Sequence, residues 1–216
     1  MRLALDHLVI AARTLDEGVD WCDATLGLRP VAGGQHLFMG THNRVFDVSS
    51  ARFPRSYAEI IAVDPSLPAP AHPRWFDLDD SALQQHLAHG PQLVHWVARV
   101  DGDDIDTACA AMRGAGVDCG DVTSAERGTL RWRITVRADG RRALAGAAPA
   151  LIEWADAHPT DALAASGVRL EALRVAAPVL SEWLPAAIRC DAVPPLVAVF
   201  ATPRGTVTLT TPLMKA

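Results

Sequence analysis

The chain has 216 residues, 50% of them hydrophobic and 21% charged, with a formal net charge of -5 at pH 7. That length can bury a substantial core, and that composition excludes general disorder. The acidic balance with scattered arginines gives no electrostatic reason to bind nucleic acid, and no apolar run approaches the roughly 20 residues that span a membrane.

In chain order, a strand is predicted over residues 3–11, and a helix follows over about 14–26, where Leu15, Val19, Cys22 and Leu26 recur every three or four residues and Gly27 is a natural stop. Two middle strands (about 36–49) and a closing strand (57–63) complete a first module. Residues 64–74 then hold Pro65, Pro68, Pro70 and Pro73. Such proline density makes a stiff connector, with a short helix resuming at Ser81 to His89. The order repeats with a strand (92–100), a helix (about 103–115) with Ile105, Cys109 and Met112 on one face, Gly116 as its stop, strands within about 129–137 and a closing strand (150–155). A fainter copy has strand-like residues 168–177, helical residues 179–188, and strands at 196–201 and 206–211. The expected fold class is therefore α+β, with paired βαβββ modules at 1–64 and 92–157, a proline-rich connector at 65–91 and a degenerate third half-module at 168–212. Because the N-terminus enters a strand at once, without a basic region and signal core, the expected location is cytoplasmic.

Four polar residues break otherwise apolar strands at matching places. His7 and His95 stand on the opening strands, Glu59 and Glu153 on the closing ones. Alternation places His7 with Leu5 and Val9, Glu59 with Tyr57 and Ile61, His95 with Leu93 and Val97, and Glu153 with Leu151 and Ala155. A carboxylate in such a strand is costly to bury unless something positive neutralises it. Imidazole with carboxylate is a ligand set for a divalent ion, with zinc, nickel, iron and manganese all open. Each residue alone is better explained as a satisfied core histidine or an arginine-paired acid; matched placement shifts the balance to one shared metal site. In the third copy Ala172 takes the place of His7, which leaves a structural or lid-forming segment.

Asn43 and Arg44, in a segment with His36 and His42, are candidates for substrate binding, since Arg offers a fixed fork of donors. Trp75, Trp96, Trp132 and Trp154 could wall an apolar pocket, and core packing is the preferred expectation. The four cysteines show no C-x-x-C spacing and read as buried, inert thiols. No G-x-S-x-G, phosphate-cradling loop or dinucleotide fingerprint is present.

These modules, with His on the first strand and Glu on the last, resemble the vicinal oxygen chelate superfamily (glyoxalase I, extradiol dioxygenases, epimerases and antibiotic-sequestering proteins). The stretches Leu5-Asp6-His7-Leu8-Val9-Ile10-Ala11, Gly33-Gly34-Gln35-His36, Gly40-Thr41-His42-Asn43-Arg44 and Tyr57-Ala58-Glu59-Ile60-Ile61 are similar to bacterial glyoxalase-like domain proteins in particular. The resemblance implies metal ligands at His7, Glu59, His95 and Glu153, and Glu153 or Glu59 as the base of a metal-dependent lyase or isomerase. Its substrate would be a small molecule with vicinal oxygens. The alternatives are a non-catalytic sequestration protein and an iron(II) ring-cleaving dioxygenase; the additional acid at Glu59 leans away from the dioxygenase. Nucleic acid and membrane are excluded as partners, and a homodimer is allowed.

Overall fold

The computed structural model describes residues 1–191 and 194–212; Ala192 and Val193, inside the expected half-module, lie outside the described residues. β1 (Arg2–Ala11) leads into α1 (Leu15–Leu26), where the Thr14 side chain accepts the Glu17 N–H and Gly27 ends the helix at φ 75°. Glycine takes that left-handed value without a Cβ penalty. β2 (Val31–His36), β3 (Thr41–Asp47) and β4 (Tyr57–Val63) complete the first βαβββ unit. Asp80 caps α2 (Ser81–Leu87), and the second unit follows as β5 (Gln92–Asp101), α3 (Ile105–Gly114), β6 (Asp121–Arg127), β7 (Leu130–Val136) and β8 (Ala150–Trp154). The C-terminal segment contributes β9 (Arg169–Val175), β10 (Ile188–Cys190), β11 (Leu196–Thr202) and β12 (Gly205–Thr210).

The first eight strands form one sheet in the order β2-β3-β4-β1-β5-β8-β7-β6, and the last four form a second in the order β10-β9-β11-β12. At the centre, β1 and β5 run antiparallel with His7 opposite Val97 and Val9 opposite His95. That reciprocal register is what a two-fold relation between the βαβββ units requires. The large sheet curls until its outer strands nearly meet, since a Cβ on Gly34 of β2 would stand 2.2 Å from Cδ of Arg127 at the end of β6.

Strand alternation then sorts the apolar residues into two cores. One face, with Leu8, Ile10, Ile60, Trp96 and Leu151, packs on Cys22 and Leu26 of α1, on Cys109 and Met112 of α3, and on Leu173 and Phe200 of the small sheet. Fully burying one such leucine contributes about 1.5–3 kcal/mol. The concave face, with Val9, Ile61, Val97 and Ile152, is covered by Trp75, Phe76 and the Leu83 and Leu87 side of α2. The proline-rich stretch thus carries two aromatics into the concavity.

Three expectations are corrected. Residues 179–188 are not a helix but a 3-10 turn at Pro178–Leu180 followed by β10, because Pro185 would remove a hydrogen bond and clash with the preceding turn. β2 begins at Val31, ahead of the expected residue 36. β6 precedes the expected 129–137 pair; it is an edge strand with no buried residue, so it lacks the alternation by which strands are recognised. Among the described residues no helix is long and apolar enough to cross a membrane.

Candidate functional site

The concave face holds a small chamber lined by His7, Asn43, Glu59, Trp75, Arg127 and Trp154, among others. Its geometry starts from an irregularity in β1. The pairing with β5 shifts register between Leu5 and His7, leaving Asp6 as an extra residue in the strand. Such a bulge breaks the alternation that would otherwise send neighbouring side chains to opposite faces. Asp6 is fully buried, and its Oδ1 lies 2.7 Å from His7 Nδ1. Its other oxygen meets His158 Nε2 at 3.1 Å, Trp154 Nε1 at 3.0 Å and Arg99 Nη1 at 3.3 Å. Burial alone would raise the pKa of this carboxyl, but the hydrogen bonds and charges of His158 and His7 outweigh it and hold Asp6 far below the usual carboxylate range. An ionised carboxylate only accepts, so both facing ring nitrogens carry hydrogens. His7 therefore presents Nε2 to the chamber, with its ring stacked on Tyr57 at 4.6 Å.

Glu59 stands beside it on β4. Its Oε1 is 3.8 Å from His7 Nε2, and its Oε2 accepts from Asn43 Nδ2 at 2.5 Å. The Asn43 amide is fixed in turn, because its oxygen accepts the Gly34 N–H at 2.9 Å and approaches Arg127 Nη1 at 3.5 Å. Gly33 is required here: a Cβ would fall 2.0 Å from Asn43 Oδ1 and 2.8 Å from its backbone oxygen. Arg44, the other expected substrate contact, follows Asn43 in β3 and faces the opposite side of the sheet. His36 also lines the chamber; burial, with the Arg127 charge second, lowers its pKa to about 3, so the ring is neutral near pH 7.

The second unit does not supply the matching half. Two residues beyond His7, Val9 pairs with Glu59; two residues beyond His95, Val97 pairs with Ala150. Ala150 therefore occupies the register position of Glu59, and its backbone N–H donates to His95 Nε2 at 3.0 Å. Glu153, three residues on, has the opposite parity from Ala150 and Ile152. It faces α3, where it accepts from Arg133 at 2.6 Å and from the Ile105 N–H at 3.3 Å. The expectation of one site at His7, Glu59, His95 and Glu153 is corrected accordingly. Only His7 and Glu59 come together, with His95 already occupied by the backbone and Glu153 on the other face. Among the described residues no group of three or more His, Cys, Asp or Glu is placed to hold a metal ion. The donor set does not fit the divalent ion that the superfamily resemblance implies.

The wall opposite Glu59 is aromatic. Trp75 and Phe76 stack at 5.0 Å, Trp132 and Trp154 lie 5.3 Å apart, and Trp96 alone of the four expected core tryptophans packs on the helix side, donating to the Ala147 oxygen at 2.9 Å. Phe76 and Asp77 adopt φ of 60° and 59°, each costing about 1–3 kcal/mol for a residue with a Cβ. The buried Arg142 holds the bend, donating to Asp77 at 2.7 Å and to the Val94 oxygen at 2.7 Å. The chamber itself is about 30 Å³, the size of one water. Beyond His36, Arg127 and Trp132 it adjoins a groove of about 680 Å³ between the β2–β3 and β6–β7 hairpins, walled also by Leu37 and Phe38. Sequence reasoning missed Asp6, His158 and Arg127. Asp6 adjoins His7 in sequence, which was a usable signal; His158 and Arg127 arrive from distant segments.

Residues 5–188 match the glyoxalase-like domain family. Among curated protein sequences none matches. Solved structures similar to the chain include a methylmalonyl-CoA epimerase from Streptomyces coelicolor in complex with 2-nitronate-propionyl-CoA, at 22% identity and a TM-score of 0.43 over 72% of this chain and 98% of that one. A methylmalonyl-CoA epimerase from Mycobacterium tuberculosis aligns at 22% identity and 0.41 over 74% and 91%. A hypothetical protein from Staphylococcus aureus is 13% identical, with a TM-score of 0.55 over 97% of this chain and 86% of that one, and shares the fold.

Proposed function

The chain belongs to the glyoxalase-like domain family, and from that premise we propose that it is a lyase or isomerase that moves a proton on a small substrate with vicinal oxygens, using Glu59 and His7 without a metal ion. The observation that carries the reading is the pairing of Glu59 and His7 on the chamber wall, 3.8 Å apart and each held from behind. That separation is too long for a direct hydrogen bond and leaves both acceptors free for a substrate proton. Glu59 is the base, its carboxylate oriented by Asn43. Glu59, then carrying the abstracted proton, returns it to carbon, while His7, whose tautomer Asp6 sets, uses its Nε2 lone pair to take the proton of one substrate oxygen and pass it to the other; a buried carboxylate behind an imidazole fixes the ring and its protonated nitrogen. Arg127 lies where the groove meets the chamber, and its guanidinium suits a substrate carboxylate or enolate oxygen.

The test is solvent deuterium uptake. Small 2-hydroxy, 2-oxo and malonate-type acids are incubated with the protein in D₂O and followed by NMR. One class should exchange a C–H, Glu59→Gln should slow the exchange by roughly 10²- to 10⁴-fold, and exhaustive chelation should leave the rate unchanged. Loss of exchange on chelation, restored by a divalent ion, would overturn the metal-free mechanism. The apolar groove at Leu37, Phe38 and Trp132 favours sequestration as a second reading, which tight binding without exchange across the panel would support.

A further inference from the structure

Away from the chamber, two thiols of the second βαβββ unit are in contact. Cys109 lies on the buried face of α3 and Cys119 in the segment leading into β6, with their Sγ atoms 2.6 Å apart and both side chains buried. All four cysteines are free thiols, and Cys22 and Cys190 belong to other elements. We propose that Cys109 and Cys119 form a reversible disulfide site, closed by a small peroxide, that ties α3 to the foot of β6.

Three observations support it. The two sulfurs already sit closer than unbonded sulfurs ordinarily approach, so a bond needs little backbone movement. Cys119 lines a cavity of about 30 Å³, far too small for an oxidant the size of glutathione disulfide and nearest in size to the smallest peroxide. Arg113 donates to the Gly120 oxygen at 2.6 Å, near enough to both thiols that their charge would raise its own pKa; a guanidinium there favours the thiolate that reacts. Burial opposes this and pushes the Cys119 thiol well above its ordinary range, so the reaction is slow at neutral pH and accelerates with alkalinity.

The chemistry balances in two steps. The Cys119 thiolate attacks one peroxide oxygen, the O–O bond breaks, and the departing hydroxide takes a proton to become water, leaving a sulfenic acid. Cys109 Sγ then attacks that sulfur. The S–S bond forms, the S–O bond breaks, and the oxygen leaves as a second water carrying the Cys109 proton. Two thiols are oxidised to one disulfide and one peroxide is reduced to two waters. The staple spans ten positions and restrains mainly the unfolded chain, while anchoring the strand that ends at Arg127.

The full chain is treated with hydrogen peroxide at pH 7, 8 and 9, quenched with catalase, alkylated under denaturing conditions and analysed by mass spectrometry. Two of the four thiols should be lost with the mass of two hydrogens, a cross-linked Cys109–Cys119 peptide should appear and disappear with dithiothreitol, and the rate should rise about tenfold per pH unit. Cys22→Ser should still cross-link, and Cys119→Ser should keep all three remaining thiols. Full alkylation of Cys109 and Cys119 at pH 9 after an exposure far longer than the one that oxidises free glutathione, a cross-link between any other pair, or oxidation that stops at a sulfinic acid would each overturn the proposal. The wild-type measurement decides the matter even if Cys119→Ser does not fold.

Discussion

Replacing Asp6 by Asn probes the device that positions His7. The wild-type carboxylate is fully buried and meets four donors, His7 Nδ1, His158 Nε2, Trp154 Nε1 and Arg99 Nη1. Asparagine has one acceptor oxygen and one amide donor. The oxygen is best kept on the side with three donors, so the amide N–H turns toward His7. His7 Nδ1 must then accept, which moves its hydrogen to Nε2 and deprives the chamber of that lone pair. Removing one partner from a buried ion pair costs about 3–5 kcal/mol. The lower end is expected here, because Arg99 is partly exposed and keeps a 2.6 Å bond to the Arg55 oxygen. Urea unfolding at pH 7 measures the loss, with an unchanged m-value confirming that the transition is comparable. Nitrogen-15 NMR of the imidazoles reads the tautomer. A loss below about 1 kcal/mol, with His7 still protonated at Nδ1, would show that the Asp6 contacts neither stabilise the fold nor set the ring.

Glu153→Gln should leave ligand binding and proton exchange unchanged and destabilise by less than about 1 kcal/mol, because the Arg133 pair is about one-third exposed and screened; titration calorimetry and urea unfolding check both, and a large fall in exchange would place Glu153 back in the site. Gly33→Ala should drive Asn43 away from Glu59, costing about 1–3 kcal/mol of stability through overpacking and weakening ligand binding, as thermal melts with and without ligand would register; wild-type behaviour in both would contradict the close approach. The buried His36 refuses a proton until about pH 3 in the folded state, whereas the unfolded chain takes one near pH 6.5. Its stabilising effect is therefore complete above about pH 6.5 and is lost progressively as pH falls toward 3, at up to about 1.4 kcal/mol per pH unit. His36→Gln should flatten the dependence of the urea midpoint on pH between 4 and 6, and an identical slope in both proteins would mean that the ring is solvated.

The fold was legible because its signals are local and repeated. The apolar period of α1, its Gly27 stop, and the apolar openings of β1 and β5 each announce an element, and their recurrence announces two units. What failed to show was what depends on partners across the sheet. β6 is polar on both faces because it is an edge, so its sequence resembles a loop. Residues 179–188 carry apolar spacing, yet Pro185 decides the outcome. Asn43 was found because it stands among polar neighbours in a glycine-flanked segment, but Arg127 and His158 reach the chamber only through the closure of the sheet and the chain beyond β8.

The misplacement of Glu153 follows from the same limit and says something about the site. Alternation correctly put Glu153 on the face of Leu151; sequence alone did not reveal that this face is the one covered by α3. A one-residue change of parity exchanges a chamber wall for a helix contact, so a His-and-Glu pattern repeated in sequence brings its side chains together in only one unit. Here the second unit shares the backbone order, places its acid in an ion pair with Arg133, and lines the facing wall with Ile134, Ile152, Trp132 and Trp154. Those apolar groups lower the local dielectric around the buried Asp6–His7 pair and Glu59. That strengthens their mutual interactions, including the Asp6 contact that keeps the His7 lone pair at Nε2 facing the chamber.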